Sequence, residues 1–272
     1  MSLSNKKTSR RSFAPGTSGI LNSKERFSNR VDDYRKYRPH YPAELIGTLK
    51  EVCGLSGRSV VADIGSGTGF MTELLLPHCK RVYAVEPNNE MREAAVESLQ
   101  SDRRFVSVDG SAEASGLGSG HVDIIVSAQA FHWFNRRLAG TEFRRILKQG
   151  GWVVLVWNMR ETKCDNFHRE LEQFLMTAVP DYLKVHRRHV RPKVLSTSFF
   201  HNSVITRYFS GGQELDWQGF RGRMLSASYV PKPRQPGYRE TMKGFEEIFR
   251  LFQVNGKVVI KHVTEVYLGR FS

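Results

Sequence analysis

The chain is short of three things, and each shortage excludes a class of protein. Its 272 residues hold only three cysteines, Cys53, Cys79 and Cys164. They are odd in number and without close pairing, so neither a disulfide framework nor a metal site of the zinc type is expected, and a reducing, cytoplasmic setting suits them. No run approaches the roughly 20 apolar residues that a membrane span needs, and the N-terminus lacks the apolar centre of a secretory signal, so no membrane association is expected. Acid is scarce too: 27 Asp and Glu stand against 41 Lys and Arg, a net charge of +14. That balance suits nucleic acid, an acidic surface or an anionic small molecule, and does not choose among them. The shortage is complete in residues 1–24, which are rich in Ser, Lys and Arg and read as a disordered basic tail. Pro15, Gly16 and Gly19 interrupt any amphipathic targeting helix there.

What the chain does have is concentrated in VVADIGSGTGFMTELLLPHCKRVYAVEP, residues 60–87. A short apolar run, Val60, Val61, Ala62 and Ile64, is interrupted by Asp63; Gly65, Gly67 and Gly69 follow at alternate positions, then a helical segment and a second apolar run ending on Glu86. This is the pattern of one strand–helix–strand unit whose ligand-binding end is the glycine turn. Glycines there let backbone approach a ligand closely, and Glu86, 21 positions after Gly65, stands where an acid receives ribose hydroxyls. The dinucleotide fingerprint would need a third glycine at position 70, which is Phe70.

The observed spacing, Asp63-x-Gly65-x-Gly67-x-Gly69, instead resembles the first motif of the class I S-adenosylmethionine (SAM)-dependent methyltransferases. The resemblance implies a Rossmann-like α/β fold: a doubly wound, seven-stranded, mostly parallel sheet ending in an antiparallel strand. It also implies SAM as cofactor, held by Asp63, Gly65, Ser66, Gly67, Gly69, Glu86, Pro87 and Met91. The family's adenine-contacting loop would fall on Ser111, Ala112 and Glu113, with Ser111 where related enzymes often carry Asp, and Ala128 would close the site from the fourth strand. The Tyr- and Arg-rich leader with Arg38-Pro39-His40-Tyr41-Pro42, the segment Ala130–Phe134 and the closing NGKVVIKHVTEVYLGRF are similar to the methyltransferase type 11 and trans-aconitate methyltransferase-like group of small-molecule enzymes.

Along the chain, apolar spacing predicts helices over 43–52, 88–99, 136–147, 165–178, 218–226 and 238–252, and strands over 105–108, 122–127, 152–157, 204–209 and 257–269. Residues 25–272 then form one methyltransferase domain, with 27–42 as a lid over cofactor and substrate and 160–200 as a helical cap. Tyr37, Arg38 and Tyr41 are the lid's candidate ligand contacts, and Lys184–Lys193 is either a solvated charge run or a steering surface for an acidic substrate.

The chemistry expected is O-methylation of a small molecule, an anionic one included, at a carboxylate or hydroxyl. His132, after the fourth strand, is the best-placed candidate base; support of its own loop is the alternative role. Trp133 beside it and Asn158 after the fifth strand are candidate substrate contacts, with His40, Trp157, Tyr229 and His262 within plausible reach. Two other classes stay open. Nucleic-acid methylation is suggested by charge, yet Ala-Gln-Ala-Phe at 128–131 replaces the Asn-Pro-Pro-Tyr-like loop of amino-group methylation, and no RNA-binding module is recognisable. A non-catalytic SAM-binding protein is the other. No residue pattern sets an oligomeric state.

Overall fold

The computed structural model describes residues 31–183 and 192–272. The basic tail, the first residues of the expected lid (27–30) and residues 184–191 of the basic run lie outside the described residues.

Seven strands form one sheet in the order β3-β2-β1-β4-β5-β7-β6: β1 (Val60–Ile64), β2 (Arg81–Val85), β3 (Phe105–Val108), β4 (Val122–Ala128), β5 (Leu147–Arg160), β6 (Val204–Leu215) and β7 (Val258–Gly269). The first five pair in parallel, whereas β7 runs antiparallel to both β5 and β6. This is the Rossmann-like, doubly wound architecture. Helices α1 (Val31–Tyr37), α2 (Glu44–Cys53), α3 (Phe70–Leu75), α4 (Asn89–Leu99) and α5 (Arg136–Ile146) accompany it, followed by α6 (Asn166–Ala178), α7 (Trp217–Leu225) and α8 (Tyr238–Phe252). No helix among the described residues is long and apolar enough to cross a membrane.

The central strands are apolar on both faces, with few exceptions such as Asp63, Asp123 and Ser127, because side chains alternate between two covered faces. Ala62, Ile64, Ile125, Val153, Leu155 and Trp157 enter one core with Phe131 and Phe143. Val61, Ile124, Val126, Val154 and Val156 enter the other, with Leu45, Leu49 and Leu75. The parallel strands thus deliver their C-terminal ends, with the loops after β1, β2, β3 and β4, to one edge of the sheet.

Two strands run further than the apolar pattern alone suggests. Beyond position 209 the run Ser-Gly-Gly-Gln reads as a turn, yet β6 continues to Leu215, paired with β7 throughout. Gly211 makes this possible: a Cβ there would come within 2.7 Å of His262 Nε2. β5 likewise continues to Arg160, which pairs with His262.

The far half of that hairpin carries a third core. Phe167, Leu171 and Leu175 of α6 meet Phe220 and Met224 of α7, Phe245 and Phe249 of α8, and Val258 and Ile260 of β7. The cap is therefore assembled from 166–182 together with 217–252. Within 160–200, by contrast, Leu195, Phe199 and Phe200 pack into the sheet core beside Phe131 and Phe143.

Candidate active site

The loop after β1 reverses through Gly65 at φ 72° and Gly67 at φ 57°, conformations that side chains rarely adopt. A Cβ on Gly65 would also lie 2.5 Å from that of Ala130, so the loops after β1 and β4 touch only because this residue is glycine. Glu86, at the end of β2, ties the arrangement together: one carboxylate oxygen accepts from the Gly67 N–H and the other from the Asn88 N–H, each at 2.9 Å. Asn88 in turn caps α4 by accepting from the Met91 N–H. Asp63 is fully buried; its Oδ2 accepts from the Thr72 hydroxyl at 2.7 Å, while Oδ1 has no partner among the described residues. Burial, reinforced by the nearby Glu86, pushes its carboxyl up to about 7.

These groups line a cavity of about 250 Å³. Of the residues expected to hold SAM, Asp63, Gly65, Ser66, Gly67, Glu86, Pro87, Met91, Ser111, Ala112, Glu113 and Ala128 line it, as do Tyr41 and Trp133. Gly69 does not; a Cβ there would sit 2.7 Å from Leu99 Cδ1, so its role is to let the loop pack on α4. The lining fits SAM chemically. A carboxylate such as Glu86 is the group that accepts from ribose hydroxyls, and Asp63 Oδ1, Ser66 Oγ and Thr68 Oγ1 are buried polar atoms with no partner among the described residues, a condition that favours a polar ligand. Ser111 Oγ accepts from the Glu113 N–H, and the Glu113 carboxylate accepts from the Asn135 N–H. The loop after β3 is thereby held by its own side chains.

A second cavity, of about 180 Å³, opens beside the first and shares Tyr34, Gln129 and Trp133 with it. Arg38, His132, Trp157, Asn158, Arg160, Tyr182, Arg223 and Tyr229 also line it. Three guanidinium groups converge there from α1's end, β5 and α7. Arg160 is paired with Glu172, which also accepts from the Tyr182 hydroxyl. Arg223 donates from Nε to Gln213 and Arg38 donates to the Ser226 carbonyl, so neither is matched by a carboxylate in these contacts. Arg38 Nε and Arg160 Nη1 are buried with no partner among the described residues. Burial, with Arg38 next in effect, pushes Arg223 down to about 9. The Trp157 indole N–H donates to His132 Nδ1 at 3.4 Å, and the rings of His132 and Trp133 lie 5.0 Å apart.

The leading segment forms a wall across both cavities. Tyr34 and Tyr41 face the first, Tyr34 and Arg38 the second. Tyr41 is deeply enclosed, and burial holds its hydroxyl well above the usual range. Tyr37 lines neither cavity, because its ring packs on Gly222 of α7. Asn158 lines the second cavity but is also a fastener: its amide donates to the carbonyls of Pro39 and His40, and its oxygen accepts from Thr264. The His40 ring packs at a tilt on Phe70, and His262 lies under Gly211; neither lines either of these two cavities. Arg187 and Arg188, the expected steering residues, fall outside the described residues.

Sequence reasoning missed Gln129, Arg160 and Arg223. The last two lie outside any local motif, and only folding brings them to the site. Gln129 carries a signal visible only in the backbone: φ 56° in a non-glycine residue, held by its N–H on the Val156 carbonyl and its side chain on the Asn158 carbonyl. Such strain commonly marks functional sites. Cys164, Asp165 and His168 also lie close together. They serve the start of α6, with Asp165 capping the helix and bonding His168 Nδ1, while His168 Nε2 accepts from the Lys261 N–H.

Comparison with known proteins agrees with this geometry. The family described as "Methyltransferase domain" matches residues 62–155, the stretch from β1 through β5 that builds the first cavity. An uncharacterised methyltransferase-like protein of Schizosaccharomyces pombe is 34% identical over 139 residues, covering 50% of this chain and 52% of that one. A candidate SAM-dependent methyltransferase of Saccharomyces cerevisiae is 30% identical over 123 residues, 43% of this chain and 42% of that one. The chain thus spans about half the length of the curated relatives it matches. Among solved structures, a candidate type II methyltransferase from Anaeromyxobacter dehalogenans superposes with a TM-score of 0.60 at 19% identity, over 86% of this chain and 98% of that one, a likeness of fold. Residues 62–155, which contribute most of the first cavity, thus match a methyltransferase domain, and over about half its length the chain is similar to methyltransferases.

Proposed function

We propose that the protein transfers a methyl group from SAM to a small anionic molecule held in the second cavity, with a carboxylate oxygen as the accepting atom. The observation that carries this reading is the convergence of Arg38, Arg160 and Arg223 on a chamber contiguous with the first cavity, where, among the described residues, Glu172 is paired with Arg160 and no carboxylate is paired with Arg38 or Arg223. A cluster of desolvated cations is costly unless an anion completes it, and guanidinium groups match carboxylates in shape and hydrogen bonding.

Glu86, the glycine loop and Asp63 would hold the cofactor, which supplies an electrophilic methyl group on a sulfonium. The protein's part is then placement. Arg38 and Arg223 orient the acceptor by its charge, Trp133 and Tyr34 wall the passage between the cavities, and α1 with the cap helices excludes water. A carboxylate is already ionised at neutral pH, so no residue has to remove a proton from it.

The direct test is to incubate the protein with methyl-labelled SAM and offer metabolite extract, total RNA and protein extract in parallel. Label should enter small acidic molecules, as alkali-labile esters. Label in RNA or protein would overturn the reading, and tight SAM binding with no transfer to any fraction would mark a non-catalytic SAM-binding protein.

A further inference from the structure

Both cavities occupy the edge of the sheet where the parallel strands end; the opposite edge, where they begin, has a different character. Three strands are each entered through basic residues: Arg58-Ser59-Val60 into β1, Lys80-Arg81-Val82 into β2 and Arg103-Arg104-Phe105 into β3. Pairing aligns these entrances. Val60 stands beside Arg81 and Val82 beside Phe105, the Lys80 N–H donates to the Ser59 carbonyl, and the Val82 N–H to the Arg104 carbonyl. Lys50 joins the row from the end of α2: burial, then Lys50 and Arg104, hold the His78 imidazole below its ordinary range. At the far end β7, being antiparallel, finishes on this edge, and Arg270 lies over the Trp152 ring at 4.2 Å. With strands about 4.8 Å apart, the row from β3 to β7 runs roughly 24 Å.

The charge of this edge is not cancelled. Asp102 and Asp123, acids of the same entrances, are taken by Arg104 and Lys148, while among the described residues Arg58, Lys80, Arg81 and Arg103 are exposed and take part in no ion pair. Against them and Lys50 stand Glu51 and the C-terminal ends of α2, α3 and α4, each end worth roughly half a negative charge, so the excess is positive. A row of cations tracks a polyanion. Among the described residues, none of the exposed large apolar side chains belongs to these entrances, whereas a membrane-surface site combines cations with apolar side chains. Unpaired bases need free rings to stack on; here Arg270 covers Trp152, and Tyr83 is engaged with His121.

We propose that this edge docks the phosphate backbone of a nucleic-acid duplex, RNA and DNA alike, through Arg58, Lys80, Arg81 and Arg103, without reading sequence. Backbone contacts of this kind give affinity and orientation and carry no sequence information. The duplex lies across the sheet from the cofactor cavity, so it is a partner of the protein and not its methyl acceptor, and the proposal stands independently of the methyl-transfer reading above.

The experiment titrates the full chain with short RNA duplexes, DNA duplexes and anionic phospholipid vesicles over a series of salt concentrations. Both duplexes should bind with similar affinity, and log Kd should rise linearly with log salt. Arg58→Gln, Lys80→Gln, Arg81→Gln and Arg103→Gln combined should lower that slope by about three to four and weaken binding at least about ten-fold, with affinity for the demethylated cofactor product retained. A control that removes equal charge from exposed helix positions, Arg136→Gln, Arg137→Gln, Arg239→Gln and Arg250→Gln, should leave the slope unchanged. Should the combined edge variant lose the cofactor product, Arg81→Gln and Arg103→Gln singly should each lower the slope by about one, and unchanged slopes in both would overturn the proposal. It is equally overturned by absence of duplex binding, by binding confined to one of the two duplexes, by an edge variant that binds as the unaltered protein does, or by equal losses in edge variant and control. Vesicle binding that is lost in the edge variant, with no duplex bound, would assign the edge to a membrane surface instead.

Discussion

The ring of Tyr37 is pressed so closely against Gly222 that a Cβ on that glycine would lie 2.1 Å from the Tyr37 Cε2. This contact joins α1 to α7, the leading segment to the cap. Two further bonds reinforce it, from Gln213 to the Tyr37 carbonyl and from Arg38 to the Ser226 carbonyl. In an ordinary helix Gly→Ala stabilises by about 0.5–1 kcal/mol; here overpacking of about 1–3 kcal/mol opposes it. Gly222→Ala should therefore lower the melting temperature and speed hydrogen exchange across residues 34–41, and Tyr37→Ala in the same chain should restore part of the loss. A stabilised Gly222→Ala protein would show that the contact yields freely.

Arg223 is almost wholly buried, and its side-chain contact is to the neutral Gln213. Replacing such a cation by an apolar residue of similar length removes a desolvation cost. Arg223→Met should leave the ligand-free protein as stable or more so by about 1–2 kcal/mol, while raising the acceptor KM ten-fold or more through loss of a charged hydrogen bond. Denaturation and steady-state kinetics on one preparation test both halves.

Asp63 predicts a pH dependence of defined sign. Its carboxyl is raised in the folded state from an ordinary 3.8 to about 7, so between those values the native protein keeps a proton that the unfolded chain has released. The contribution of Asp63 to stability therefore falls as pH rises from about 4 to about 7 and levels off above. Asp63→Asn should remove that dependence, a difference between the two proteins on the order of 1–4 kcal/mol at 1.36 kcal/mol per pKa unit. Urea unfolding at pH 5 and pH 8 measures it. A cationic ligand favours the ionised carboxylate, so SAM binding should release protons near pH 7 and tighten with rising pH, which calorimetry in two buffers detects.

Glu86 bonds to the N–H groups of both Gly67 and Asn88. Its removal should cost SAM affinity twice over, through the ribose and through a loosened loop. Glu86→Ala should weaken SAM binding by at least about ten-fold, and Glu86→Gln by less, since the amide keeps one acceptor. Titration of both variants against SAM checks the order.

Much of the first cavity was legible before folding. The three alternating glycines, Asp63 before them and Glu86 at the end of the next strand sit within 24 consecutive residues, and a strand–turn–helix–strand unit brings such neighbours together by local geometry alone. Ser111 and Ala128 follow because parallel strands end at one edge. Gly69 does not line the cavity, because a loop glycine can serve a ligand or a neighbouring helix and here it packs against Leu99, a contact no local spacing reveals.

The second cavity was decided by tertiary structure. Arg38, Arg160 and Arg223 are separated by more than sixty residues from one another and belong to a leading segment, a strand and a cap helix; no spacing rule connects them. In a chain with an excess of basic residues, each reads as ordinary surface charge. What distinguishes them is their convergence on one cavity with, among the described residues, Glu172 alone in compensation, which exists once the β6–β7 hairpin extends past the sheet and carries the helices packed on it over its edge. Local sequence determined the sheet and the turn that faces the cofactor, because strand alternation and glycine conformation act over a few residues. Long-range packing alone determined the charge and shape of the second cavity, because desolvation depends on which distant elements meet.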